Sequence, residues 1–170
     1  VFIHGPVHTT FEEAQRAGRG YSAGTNVQAV TSSNFLQMRF SNPTGNAKRC
    51  FITNRIFSND QGNSDSSLEL SFSPTSASAL AGSTLVTPNN LKPSGGASNV
   101  VFSWRVNGTS LGASAVGQIL PVGGIPFEIT INRIVEPGQA FAYQVGGTGG
   151  GLNNAARIAA TMIWFEEDVQ

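Results

Sequence analysis

Leu36-Gln37-Met38-Arg39-Phe40-Ser41-Asn42-Pro43-Thr44-Gly45 is the stretch that decides the fold. Leu36, Met38 and Phe40 alternate with Gln37, Arg39 and Ser41, the period of a half-buried strand whose successive side chains point to opposite faces. Asn42-Pro43-Thr44-Gly45 then supplies a turn: an asparagine that can bond its own backbone, a proline of fixed φ, and a glycine. The same grammar continues outward. Cys50, Ile52 and Ile56 alternate with Phe51, Thr53, Arg55 and Phe57, and Leu68, Leu70 and Phe72 alternate with serine and glutamate. Further strands are read at 100–106, 116–120, 127–134, 140–145 and 157–165, with Glu136-Pro137-Gly138 and the glycine-rich run 146–151 at two of the junctions. Residues 74–98 read as a long loop of Ser, Ala, Pro, Gly and Asn containing one short strand, Thr84-Leu85-Val86.

Roughly eight or nine short strands at fairly regular spacing predict an all-β antiparallel β-sandwich over residues 27–165, with an eight-stranded jelly roll as the preferred form. No βαβ alternation points to a parallel sheet. Matching parities select a core of Leu36, Met38, Phe40, Ile52, Leu70, Phe102, Trp104, Ile129, Ile131, Met162 and Trp164. Ahead of the strands, residues 1–9 read as an extended arm set by Pro6. Thr10-Phe11-Glu12-Glu13 is a capping box, which predicts a short helix from Phe11 to about Ala17 ending near Gly18 and Gly20. The chain thus divides into an N-terminal arm with its helix (1–20) and a sandwich domain (21–170).

The arm is more apolar than a free polar tail. Val1, Phe2, Ile3, Val7 and Phe11 are expected to be assembly contacts, lying outside the sandwich and touching another molecule. Composition points the same way. Only 12% of the 170 residues are charged, about half the usual share. Eleven Phe, two Trp and two Tyr leave ample material for a core. A low-charge surface of Ser, Thr, Asn and Gly, with the long 74–98 loop in need of cover, suits a chain that packs against its own copies. A homo-oligomer is expected, a trimer favoured. Ten basic and ten acidic residues leave no basic face for nucleic acid. Six bases and two acids fall in residues 1–57. That asymmetry is either incidental or sets a basic N-terminal region against an acidic surface of a neighbour. No stretch reads as a signal peptide or is long and apolar enough to span a membrane. Val1 is small enough to follow a removed initiator methionine, so a nearly complete chain made in a cytoplasm is expected.

The chemistry-bearing residues do not assemble into a catalytic motif. Cys50 is the only cysteine, so no disulfide forms within the chain, and its apolar neighbours predict a buried strand thiol. His4 and His8, the only imidazoles, both lie in the arm and have no carboxylate or thiolate companions to make a metal site. No Gly-x-Ser-x-Gly elbow surrounds a serine. A two-carboxylate glycosidase has no spacing rule that would exclude it, but Glu69 and Glu128 are read at outward strand positions and Glu166, Glu167 and Asp168 as solvating the C-terminal tip, so the structural reading is preferred. The run 146–151 lacks the Gly-Lys-Ser/Thr ending of a phosphate loop. Asn107-Gly108-Thr109 matches a glycosylation acceptor, but Asn-Gly is also a hairpin signal and is read as a turn. Trp104 and Trp164 share parity with apolar neighbours and are read as core rather than as sugar platforms. The expectation is a non-enzyme with no catalytic residue, no metal and no cofactor.

Phe11-Glu12-Glu13-Ala14, the Tyr21–Thr25 link, Leu36–Pro43 and the closing 159–167 strand resemble small jelly-roll proteins of bacteriophages and some bacteria. These serve as capsid decoration proteins, head or tail fibre modules, or appendage subunits. The resemblance covers most of the chain through its general pattern. It implies a structural component of a virion, made in the host cytoplasm, whose N-terminal segment attaches it to a platform and whose β-domain trimerises or packs along a filament. Its partners would be virion proteins such as the major capsid protein. The alternatives are a carbohydrate- or receptor-binding module and a bacterial surface-appendage subunit at the cell surface.

Overall fold

A computed structural model describes residues 10–31, 33–59, 68–76, 80–109, 111, 118–120, 126–147 and 156–169. One short helix, α1 (Phe11–Arg16), precedes twelve strands among the described residues: β1 (Gly20–Gly24), β2 (Gln28–Val30), β3 (Phe35–Ser41), β4 (Lys48–Asn59), β5 (Leu68–Ser76), β6 (Thr84–Val86), β7 (Asn89–Asn90), β8 (Val101–Asn107), β9 (Gln118–Leu120), β10 (Phe127–Val135), β11 (Gln139–Gly147) and β12 (Ala156–Asp168). They form two antiparallel sheets. The first runs β10-β4-β12-β1-β7, with β2 also on β12. The second runs β6-β8-β3-β11-β5-β9.

The topology follows from one roll-up. Setting aside β2, β6, β7 and β8, the eight remaining strands pair first with last (β1·β12), second with seventh (β3·β11), third with sixth (β4·β10) and fourth with fifth (β5·β9). Those four pairs are a long antiparallel ribbon wound over itself, with alternate pairs in opposite sheets. The sandwich is therefore a jelly roll. Within the 84–107 segment, β6 and β8 extend the second sheet beyond β3, while β7 extends the first beyond β1.

The inner faces meet in a single core. Trp164 is fully buried, stacked on Tyr21 at 5.9 Å and edge-on to Phe40 at 5.1 Å, and Phe40 in turn stacks on Phe141 at 5.5 Å. Such ring pairs add about 0.5–1.5 kcal/mol each beyond the area they bury. Leu36, Met38, Phe40, Ile52, Phe102, Met162 and Trp164 are buried as parity predicts, and Trp104 and Ile129 are half-buried against them. The side chains of Leu70 and Ile131 lie outside the described residues.

Four expectations need correction. Tyr21–Thr25 is not a link: Tyr21 and Ala23 face the core from β1, which sits inside the first sheet between β12 and β7. The parity of β4 does not run through. Ile52 faces Trp164 and Asn54 faces Ile163, so Thr53 is an extra residue, a β-bulge whose Oγ1 donates to the Ile163 carbonyl at 3.2 Å. Beyond it, Arg55, Phe57 and Asn59 turn inward, and Ile56, expected inside, is half-buried on the outer face. Third, Glu166 does not solvate the tip, because it shares the inner parity of Met162 and Trp164 and is 0% exposed. Finally, the 74–98 segment, read as a long loop in need of cover, is tied to the sandwich at two points, although most of residues 81–97 remain exposed. Lys92 lies in it and donates to the Arg16 carbonyl at 2.9 Å, and Asn90 donates to the Gly18 carbonyl at 2.8 Å.

Candidate functional site

The N-terminal helix is built as its sequence demands. Thr10 Oγ1 accepts from the Glu13 backbone N–H, and Glu13 accepts from the Thr10 backbone N–H at 2.9 Å, which also lowers the Glu13 pKa. After Ala17, Gly18 takes φ +74°, the left-handed conformation that ends a helix with least strain in glycine. Gly20 opens β1 directly beneath the helix, where an added Cβ would lie 3.3 Å from the Gln15 Cα. That closeness seats α1 on the outer face of the first sheet, with Ala14 fully buried.

Of the five expected assembly contacts, Phe11 is the one the structure places. Its ring is half-buried, 6.4 Å from that of Phe165. Val1, Phe2, Ile3 and Val7 lie outside the described residues. Phe11 does not project away from the sandwich. It starts a row across the outer face: Phe165 on β12 stacks on Phe51 of β4 at 4.7 Å and 5°, and Phe51 pairs with Ile134 of the edge strand β10. Exposure rises along the row, from buried Phe165 through half-buried Phe51 to Ile134 at 50%. One flank carries the Arg49–Glu136 ion pair at 3.6 Å, and the other carries Thr53, Ile163 and Ser22. The exposed part of this apolar row is Ile134 and part of Phe51, at the β10 edge of the sheet.

The buried polar groups serve the fold. Glu166 accepts from Ser98 Oγ and from Trp164 Nε1 at 3.4 Å, stands 3.9 Å from Lys48 Nζ, and its backbone N–H donates to the Arg19 carbonyl at 3.0 Å. It ties the segment before β8, the start of β4 and the approach to β1 onto the end of β12. Cys50 lies opposite Glu166 in the β4–β12 register. Burial first, and then the Glu166 carboxylate, push its thiol pKa far up, which suppresses the thiolate a nucleophile needs. Arg55 stacks its guanidinium 4.6 Å from the centre of the Tyr143 ring, and burial brings its pKa down to about 10.

Gln37, read from sequence on the solvent face of β3, is also buried, with Gln144 buried and Arg105 half-buried beside it. Arg105, Gln37 and Gln144 stand side by side on β8, β3 and β11, with Arg105 Nε donating to Gln37 Oε1 at 2.8 Å and Gln37 Nε2 to Gln144 Oε1 at 3.1 Å. This ladder captures backbone at Ala81, Thr109 and Leu111. Among the described residues, no three His, Cys, Asp or Glu side chains group so as to hold a metal ion.

No family model, curated protein or solved structure matches the chain.

Proposed function

We propose that the protein is a structural component of a virion, decorating the capsid or forming part of a tail or fibre, and that it assembles through self-association and its N-terminal arm. The observation that carries this reading is the apolar row on the first sheet, which starts under Phe11, where the arm enters the fold, and emerges at the β10 edge. The low charge density and the apolar content of residues 1–9 support it further. Its partners would be further copies, a trimer favoured, and other virion proteins such as a major capsid protein. A carbohydrate- or receptor-binding module, or a surface-appendage subunit, remains the alternative. Sugar recognition would use exposed rings at loop tips, whereas the described aromatic side chains are buried or half-buried, in the core or in the outer-face row.

Sedimentation and mass photometry of the full chain at micromolar concentration test the assembly half of the proposal, with a discrete oligomer as the expected result. A clean monomer at every concentration would remove self-association. Cryo-electron microscopy of the native assembly tests the location, and finding the chain on a cell-surface filament would replace the virion reading with the appendage one.

A further inference from the structure

Resting on the arm-mediated assembly just proposed, we infer that the row Phe165–Phe51–Ile134 is the receptor for the arm of a second copy, set against the β10 edge. Three observations lead there.

The first is direction. The C-terminal end of α1 is held at the β7 side by the Lys92 bond to the Arg16 carbonyl, while Phe11 at its N-terminal end lies over Phe165. The axis of α1, followed from its C-terminal to its N-terminal end, points from β7 over β12, the side on which β4 and β10 lie.

The second is length. Nine residues separate Phe2 from Phe11, about 30 Å of extended chain at ~3.3 Å per residue. The row from Phe165 to Ile134 crosses only two strand spacings, about 10 Å at ~4.8 Å each. Pro6 favours the extended form in the arm. An extended arm therefore carries Val1, Phe2 and Ile3 past the β10 edge by roughly 20 Å, a reach set by the same extended rise. An equivalent row on a neighbour at that edge is where they come to rest.

The third is chemistry. The arm contains no Asp, Glu, Lys or Arg, and Thr53, Ile163 and Ser22 beside the row are uncharged. Ile134, half exposed on an edge strand, is the least covered member of the row and the one a neighbour would reach first. Each copy then gives an arm and receives one. Such head-to-tail exchange closes as a ring, three copies being the expectation from composition.

The test uses the full chain, the variant Ile134→Lys, and a chain lacking residues 1–9, each followed by sedimentation and thermal unfolding. Ile134→Lys is expected to keep the melting temperature of the isolated subunit and to weaken association about tenfold or more, as loss of a buried anchor does. The arm-deleted chain is expected to be monomeric. Mixing the two should restore one contact, because one supplies an arm and the other a row, giving a 1:1 heterodimer that neither forms alone. If Ile134→Lys assembles like the parent while the arm-deleted chain does not, the receptor is elsewhere and this inference falls, leaving arm-mediated assembly standing. If both assemble normally, both fall. If both stay associated or monomeric as the parent is and both lower the subunit's melting temperature, the arm covers its own row and exchange is wrong.

Discussion

Cys50 and Glu166 face each other at one end of the core, and each was readable to a different degree. The thiol is where its apolar neighbours place it, fully buried. Glu166 has the inner parity of Met162 and Trp164, so the signal for burial was present. Its charge and its nearness to Glu167 and Asp168 argue the other way, and its partners Ser98 and Lys48 are remote in sequence. The thiol makes the pair measurable. Its pKa lies well above the ordinary value of 9.0, through burial first and the Glu166 and Glu136 carboxylates next. The folded chain therefore keeps a proton that the unfolded chain releases, and the stability this gives is complete below that value and is lost as pH rises past it toward the folded pKa. The denaturation midpoint is expected to fall from about pH 8 to about pH 11, over the window that starts at the ordinary thiol value, and to fall less in Cys50→Ala. Tyr143, raised in the same direction by burial, leaves a residual slope. An unchanged slope in the variant would show that the thiol is not the group responsible.

At the scale of elements, alternation revealed most strands and the capping box revealed the helix. What it could not reveal was the bulge at Thr53, because an extra residue is defined by the partner strand and not by the strand itself. Cys50, Ile52 and Ile56 make a plausible single parity only if β4 is regular, and a charged Arg55 reads naturally as solvent-facing. β1 was missed for a different reason: five residues with two glycines and one large apolar side chain carry too little pattern to be read as a strand. The bulge brings Arg55 inside, 4% exposed. A guanidinium desolvated by register and stacked on Tyr143 gains little over an apolar chain of similar length. Arg55→Met is therefore expected to unfold within about 1 kcal/mol of the parent in urea, the range of volume-conserving replacements. A loss above about 3 kcal/mol, the cost of breaking a buried ionic contact, would instead make Arg55 an anchor of the core.

For the whole molecule, strand count and spacing were enough to suggest a jelly roll, and the four nested pairs establish it. Which strand neighbours which was not legible, because alternation carries no information about partners. The order makes β12 the central member of the first sheet, flanked by β4 along nearly its full length and, on its other side, by β2 at 156–158 and β1 at 161–165. Removing residues 156–170 is expected to abolish cooperative unfolding altogether, since it strips the core of Ile158, Met162 and Trp164, leaves β2 without a partner strand and bares one edge each of β4 and β1. Thermal melting followed by tryptophan-free signals such as far-ultraviolet dichroism would check this, and a retained sharp transition would contradict it.

Nested pairing also sets an order in time. On a ribosome the first strand emerges long before its partner, the last, has been translated, so β1 waits through nearly the whole of synthesis. The sheet that seats α1, and with it the row that begins under Phe11, does not exist until β12 has cleared the exit tunnel. A chain without β12 therefore lacks the row onto which the proposed exchange would dock a neighbour's arm. If the proposed exchange holds, copies crowded on one message are kept from it until β12 is in place, by the winding of the chain alone.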